Sequence, residues 1–181
     1  MKNITIVSIG LILALASLSV FSVGKETLNS TPPVNIQKAQ NLQQIAQQAR
    51  ERNLPVLLVF AADHCPYCEL LEEEILKPML ISGNYNDRVL IYQLNLDDGT
   101  QIIDFDGNKV YVSDVTTRYD VFVTPTMLFI DNQGNELDER ILGINTIEMF
   151  GGLVDDAIDV SLSKLRGNKK VAQSVKPGPA L

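Results

Sequence analysis

Residues 54–80 read LPVLLVFAADHCPYCELLEEEILKPML. Leu54 to Phe60 form a continuous apolar run rich in strand formers, the pattern of a strand buried on both faces in the middle of a sheet. Ala61-Ala62-Asp63-His64 leads from it to Cys65-Pro66-Tyr67-Cys68, and a helical pattern continues to about Leu80. Cys65 therefore falls at a helix N-terminus, where unpaired backbone N–H groups and the helix dipole favour negative charge. A thiol whose free pKa is about 8.5 can fall to between about 3.5 and 7.5 in such a place. Pro66 suits the first helical turn, where its missing N–H is not needed. Disulfide exchange requires an exposed thiolate and a second thiol close enough to resolve the mixed disulfide. Cys65 is thus read as the attacking nucleophile, and Cys68, one turn further in and less exposed, as the resolving thiol.

Other uses of the pair fit less well. The chain has two cysteines, three positions apart, and a bridge between them closes too small a loop to act as a staple. Burial as two small hydrophobes sits badly with the Pro-Tyr spacer and the helix-start position. His64, Cys65 and Cys68 offer three metal ligands, with Asp63 or Glu69 as a fourth, but there is one histidine in the chain and a closed zinc site usually takes four Cys or His ligands. A metal-binding module or metallochaperone is the rival to the enzyme reading. A scaffold domain without redox chemistry is a third. The enzyme reading needs no cofactor and no metal.

The composition, 45% hydrophobic and 20% charged over 181 residues, suits one globular domain with a real core. A net charge of -7 without a dense Lys/Arg stripe argues against a nucleic-acid partner. Lys2 and the apolar run Ile4–Val23, ending in small residues at Ser22 and Gly24, read as a secretory signal peptide over residues 1–24. An uncleaved membrane anchor is the alternative, since the run is about long enough to span a bilayer. Either places the thiols in an oxidising compartment, the bacterial periplasm.

Residues 25–35 read as a polar, proline-bearing linker, 36–166 as the folded domain, and 167–181 as a disordered tail. Within the domain, helical spacing of Leu42, Ile45, Ala46 and Ala49 predicts a helix over 36–52, and 88–96 and 126–130 read as strands. Residues 97–112 read as an inserted hairpin turning at Asp106-Gly107, its acids Asp97, Asp98, Asp104 and Asp106 as solvated loop carboxylates. Ser113 is expected to cap a short helix to about Tyr119. Asp131–Asn135 is expected to turn into a strand over 136–142, and Asn145 with Glu148 to open a final helix that Gly151-Gly152 should weaken. This order gives an α/β fold with a mixed central sheet and helices on both faces.

These residues resemble the thioredoxin superfamily over about 36–166, most closely its exported, thioredoxin-related SoxW-like group. Stretch 54–80 is similar to that group's strand, active site and kinked helix, and Val123-Thr124-Pro125-Thr126 to the family loop bearing a cis-proline beside the disulfide. The resemblance implies a thioredoxin-like fold with an added N-terminal helix and a hairpin insertion. It implies a protein-disulfide oxidoreductase, mostly a reductant, serving a disulfide-bearing protein substrate and an upstream redox partner. It implies that Thr124 and Pro125 bind the substrate segment, with His64, Pro66 and Tyr67 supporting the site. The alternative to the cis reading of Pro125, which is the one preferred, is an ordinary proline at the start of a strand. Two departures stand out. Val59 occupies the place where thioredoxins carry a buried acid, and His64 the place of a tryptophan. His64 could shuttle protons or be a solvated loop residue.

Overall fold

The computed structural model describes residues 34–174. The signal-peptide or anchor segment 1–24, nearly all of the linker and residues 175–181 lie outside the described residues. Strand β1 (Gln37–Lys38) opens the fold, followed by helix α1 (Leu42–Arg52), β2 (Val56–Ala61) and α2 (Pro66–Leu71). A π-helical turn (Glu72–Leu76) leads into α3 (Lys77–Ser82), then β3 (Leu90–Asn95), β4 (Gln101–Ile103) and β5 (Lys109–Tyr111). Helix α4 (Val112–Arg118), β6 (Thr126–Ile130), β7 (Ile141–Leu142) and α5 (Ile147–Ser174) complete it.

Five strands form one sheet in the order β1-β3-β2-β6-β7. β1, β3 and β2 run parallel, β6 runs antiparallel to β2, and β7 antiparallel to β6. β2 is central, and all six of its residues are buried, as its unbroken apolar run requires. Alternate residues serve opposite faces. Val56, Leu58 and Phe60 join Leu42, Ile45 and Ala49 of α1 and Val112 and Val115 of α4 in one cluster. Leu57 and Val59 join Leu71, Ile75 and Met79 from the helices after the cysteines, and Phe150, Val154 and Ile158 of α5, in the other. Helices thus cover both faces of a mixed sheet.

Several boundaries differ from the sequence reading. Residues 36–41 are not helical: β1 pairs with β3, and Asn41 caps α1 by accepting from Gln44 N–H at 2.8 Å through its side-chain oxygen. α4 begins two residues earlier than a Ser113 cap allows, at Val112, because Tyr111 is the N-cap and the Asp114 carboxylate accepts from its N–H at 2.9 Å. The strand over 136–142 shrinks to Ile141–Leu142 plus a bridge at Glu136. There the chain turns aside with Asp131 Oδ1 accepting from Gln133 and Asn135 N–H at 2.7 and 2.9 Å. α5 starts at Ile147, passes through Gly151-Gly152 unbroken, and continues to Ser174. Residues 167–174, assigned from sequence to a disordered tail, are helical backbone; no proline interrupts them before Pro177, and one glycine costs a helix only about 1 kcal/mol.

The inserted hairpin forms as an antiparallel pair, β4 with β5. Its Asp104 is not solvated. It is 3% exposed and accepts from the N–H groups of Asp106 (3.0 Å) and Asn108 (2.7 Å), closing the turn. Those amides, Asn108 first, and the nearby Arg118 guanidinium hold its carboxyl below the usual carboxylate range. The π turn precedes Pro78, which has no N–H to give and would crowd the carbonyl one α-turn back, so the wider turn absorbs the mismatch. Among the described residues no helix is long and apolar enough to cross a membrane.

Candidate active site

Strand directions bring four loops to one edge of the sheet. β2 and β3 end there, β6 begins there, and β7, antiparallel to β6, ends there. The loops are 62–65, 96–100, 119–125 and 143–146.

Cys65 is the N-cap of α2, and Pro66 is the first helical residue. The Cys68 N–H donates to Cys65 Sγ at 3.2 Å and to the Cys65 carbonyl at 2.9 Å; Glu69 N–H reaches the same carbonyl at 3.1 Å. Cys65 and Cys68 are joined as a disulfide, with Cα atoms 5.2 Å apart. Cys65 is half-buried and Cys68 is 8% exposed, so the outer sulfur is the one a substrate meets. Across the edge, Thr124 Oγ1 donates to Cys65 Sγ at 3.5 Å, and the Thr124–Pro125 peptide is cis. Sequence-distant Thr124 and Pro125 therefore stand beside the disulfide.

That loop is pinned from below. Thr126, fully buried, donates through Oγ1 to the Val123 carbonyl at 2.8 Å. Tyr119 Oη donates to the Gly134 carbonyl at 2.8 Å, and burial pushes its phenol up to about 12, so it stays a donor. On the far side Gly143 N–H donates to the Pro125 carbonyl at 2.8 Å. Gly143 holds φ +63° there, a conformation that suits glycine.

His64 is exposed, holds φ +54°, and makes no side-chain hydrogen bond among the described residues. Tyr67 is 58% exposed at the helix mouth. Val59 is 2% exposed among aliphatic and aromatic neighbours of the sheet face under the helices; no carboxyl occupies that place in β2. Two features had no sequence signal. Phe122, 81% exposed, projects from the loop before Thr124. Asn95 and Asp97 bond to Asp63, two residues before the first cysteine; Asp97, expected to be a solvated loop carboxylate, accepts from the Asp63 N–H.

The profile of a family described as a thioredoxin-like domain matches residues 42–158. The chain belongs to the thioredoxin-like family. Among solved structures, a DsbH oxidoreductase superposes on this thioredoxin-like chain with a TM-score of 0.53 at 17% identity, covering 74% of this chain and 94% of that one. Thioredoxin O2 from Arabidopsis thaliana in its oxidised state has 19% identity, coverage of 67% and 92%, and a TM-score of 0.46. Mitochondrial thioredoxin 3 from Saccharomyces cerevisiae has 21% identity, coverage of 66% and 94%, and a TM-score of 0.43. No curated protein sequence matches the chain. The thioredoxin-like fold and the Cys65–Cys68 disulfide at a helix N-terminus together support thiol–disulfide redox function.

Proposed function

We propose that this protein is a periplasmic reductant of protein disulfides. The observation that carries the reading is the disulfide at the mouth of α2, its outer sulfur half-exposed and touched by Thr124 beside the cis-proline. In the reduced form the Cys65 thiolate attacks one sulfur of a substrate disulfide. A mixed disulfide forms and one substrate thiolate leaves. Cys68, once deprotonated, attacks Cys65 Sγ, closing the Cys65–Cys68 bond and releasing the second substrate thiolate. Two electrons pass to the substrate, whose two thiolates take up protons. An upstream redox partner must then reduce the pair again.

The chain's own groups suit this chemistry. The Cys68 N–H already points at Cys65 Sγ, and with the Thr124 hydroxyl it supplies donors for a thiolate at a helix N-terminus. Exposed Tyr67 in the first turn of α2, with Phe122 and Val123 on the loop before Thr124, offers apolar contact to a polypeptide, which supports a protein substrate. Reduction is favoured over oxidation by the SoxW-like resemblance, and export by the apolar N-terminal segment.

The test is insulin reduction with a thiol donor. Cys65→Ser should abolish turnover while far-ultraviolet circular dichroism is unchanged, and Cys68→Ser should accumulate a mixed disulfide with its substrate. Full turnover by Cys65→Ser would end the proposal. Stoichiometric copper or zinc held by the reduced protein, with no reversible two-electron titration, would favour the metal-binding alternative.

A further inference from the structure

We propose that Asn95 and Asp97 are positioning residues for Cys65. β2 ends at Ala61, where Leu96 N–H donates to the Ala61 carbonyl at 2.8 Å. Beyond that bond the sheet ladder stops, yet the chain must set Cys65 at the helix mouth four residues later. A ring of three hydrogen bonds takes over from the ladder. Asp63 N–H donates to Asp97 Oδ2 at 2.7 Å, Asn95 Nδ2 donates to Asp63 Oδ1 at 2.6 Å, and Asp97 N–H donates to Asn95 Oδ1 at 2.9 Å. The ring joins the loop before the nucleophile to the end of β3, over 30 residues away in the chain.

The residue between the ring and Cys65 is His64, whose φ of +54° is one that residues with a side chain rarely adopt. A backbone in that state is held by its surroundings, and the ring ends one residue before it. Asp63 and Asp97 form no ion pair among the described residues, so the ring is the contact each carboxylate makes there. Removing the Asp97 acceptor frees Asp63 N–H and lets the 62–64 turn relax, carrying Cys65 off the helix axis and away from the Cys68 N–H and Thr124 hydroxyl.

Two variants separate the bond from the charge. Asp97→Ala removes the acceptor; Asp97→Asn keeps an oxygen for Asp63 N–H and removes the charge. In a Cys68→Ser background Cys65 is the one thiol, and its alkylation by iodoacetamide at pH 7 reports thiolate availability without any turnover. Asp97→Ala should slow alkylation about fivefold, the worth of one net hydrogen bond, Asn95→Ala should do the same, and Asp97→Asn should stay within about twofold of the parent. With both cysteines present, kcat/KM for insulin should fall in the same order. Parental alkylation rates in both alanine variants, or an Asp97→Asn protein as slow as Asp97→Ala, would overturn the proposal. The turnover arm rests on the redox reading. A parent that alkylates readily but reduces no disulfide would sink that reading and leave the alkylation comparison standing.

Discussion

Gly152→Ala should stabilise the protein by about 1 kcal/mol. Gly152 lies in α5 on an exposed face, and a methyl group added there would meet nothing within 4 Å. Its backbone is helical, so alanine needs no strain to occupy it. The substitution then gains the glycine–alanine difference in helix propensity, about 0.8–1.0 kcal/mol, much of it through a less flexible unfolded chain. For a domain of about 150–250 residues that raises Tm by about 2–4 °C. At Gly151 the added carbon would sit 3.8 Å from Ile75 Cδ1, an ordinary contact, and a gain of similar size is expected. Gly134 is the opposing control. Its φ is +82°, and a Cβ there would lie 2.7 Å from Tyr119 Oη and 3.0 Å from Phe105 Cε2, so Gly134→Ala should lower Tm. The measurement is urea and thermal unfolding of the fully oxidised protein, since a mixture of redox states is not two-state. A lowered midpoint for Gly152→Ala would mean that α5 is not a regular helix through residues 151–152, and the reasoning would fail with it.

Phe122→Ser should raise KM for insulin several-fold while leaving turnover of a small disulfide and the unfolding midpoint unchanged, because the ring is 81% exposed and supports nothing below it. Equal KM values would remove Phe122 from the substrate surface. Asp104 makes a second, pH-dependent test. Its folded pKa is depressed below 3.8, first by the Asn108 N–H, so its stabilisation is present above that value and is lost as pH falls through the folded pKa. Asp104→Asn keeps an acceptor but no charge; the stability gap between parent and variant should be widest near neutrality and shrink below about pH 4. A gap constant from pH 6 to pH 3 would refute the assignment.

The central strand, the cysteine helix and β6 were legible because each is a run whose burial is written in consecutive apolar residues: Val56–Ala61 and Thr126–Ile130 are buried throughout. The redox pair was legible for a different reason, since two cysteines at this spacing after such a strand have few other uses. Edges were less readable. Gln37 and Lys38 are exposed polar residues whose strand character comes only from pairing with Tyr92 and Gln93. α4 owes its start to an aspartate within its own first turn. The Asp63–Asn95–Asp97 ring could not be read at all, because the partners lie far apart in the chain and polar residues in loops carry no periodicity. α5 tolerates Gly151-Gly152 because its inward residues Phe150, Val154, Ile158 and Leu162 are buried, and that packing outweighs the local cost.

The two border strands of the sheet, β1 and β7, are each two residues long. A foreign strand that tried to extend the sheet sideways would find a template too short to hold it, which is how folded proteins discourage unwanted aggregation. Under the function proposed above, polypeptide pairing would fall to the stretch before Pro125, which ends at a residue without an N–H and stands beside the disulfide. On that proposal, a visiting chain that lies down along this molecule would be steered to the place where its own sulfur bond can be exchanged.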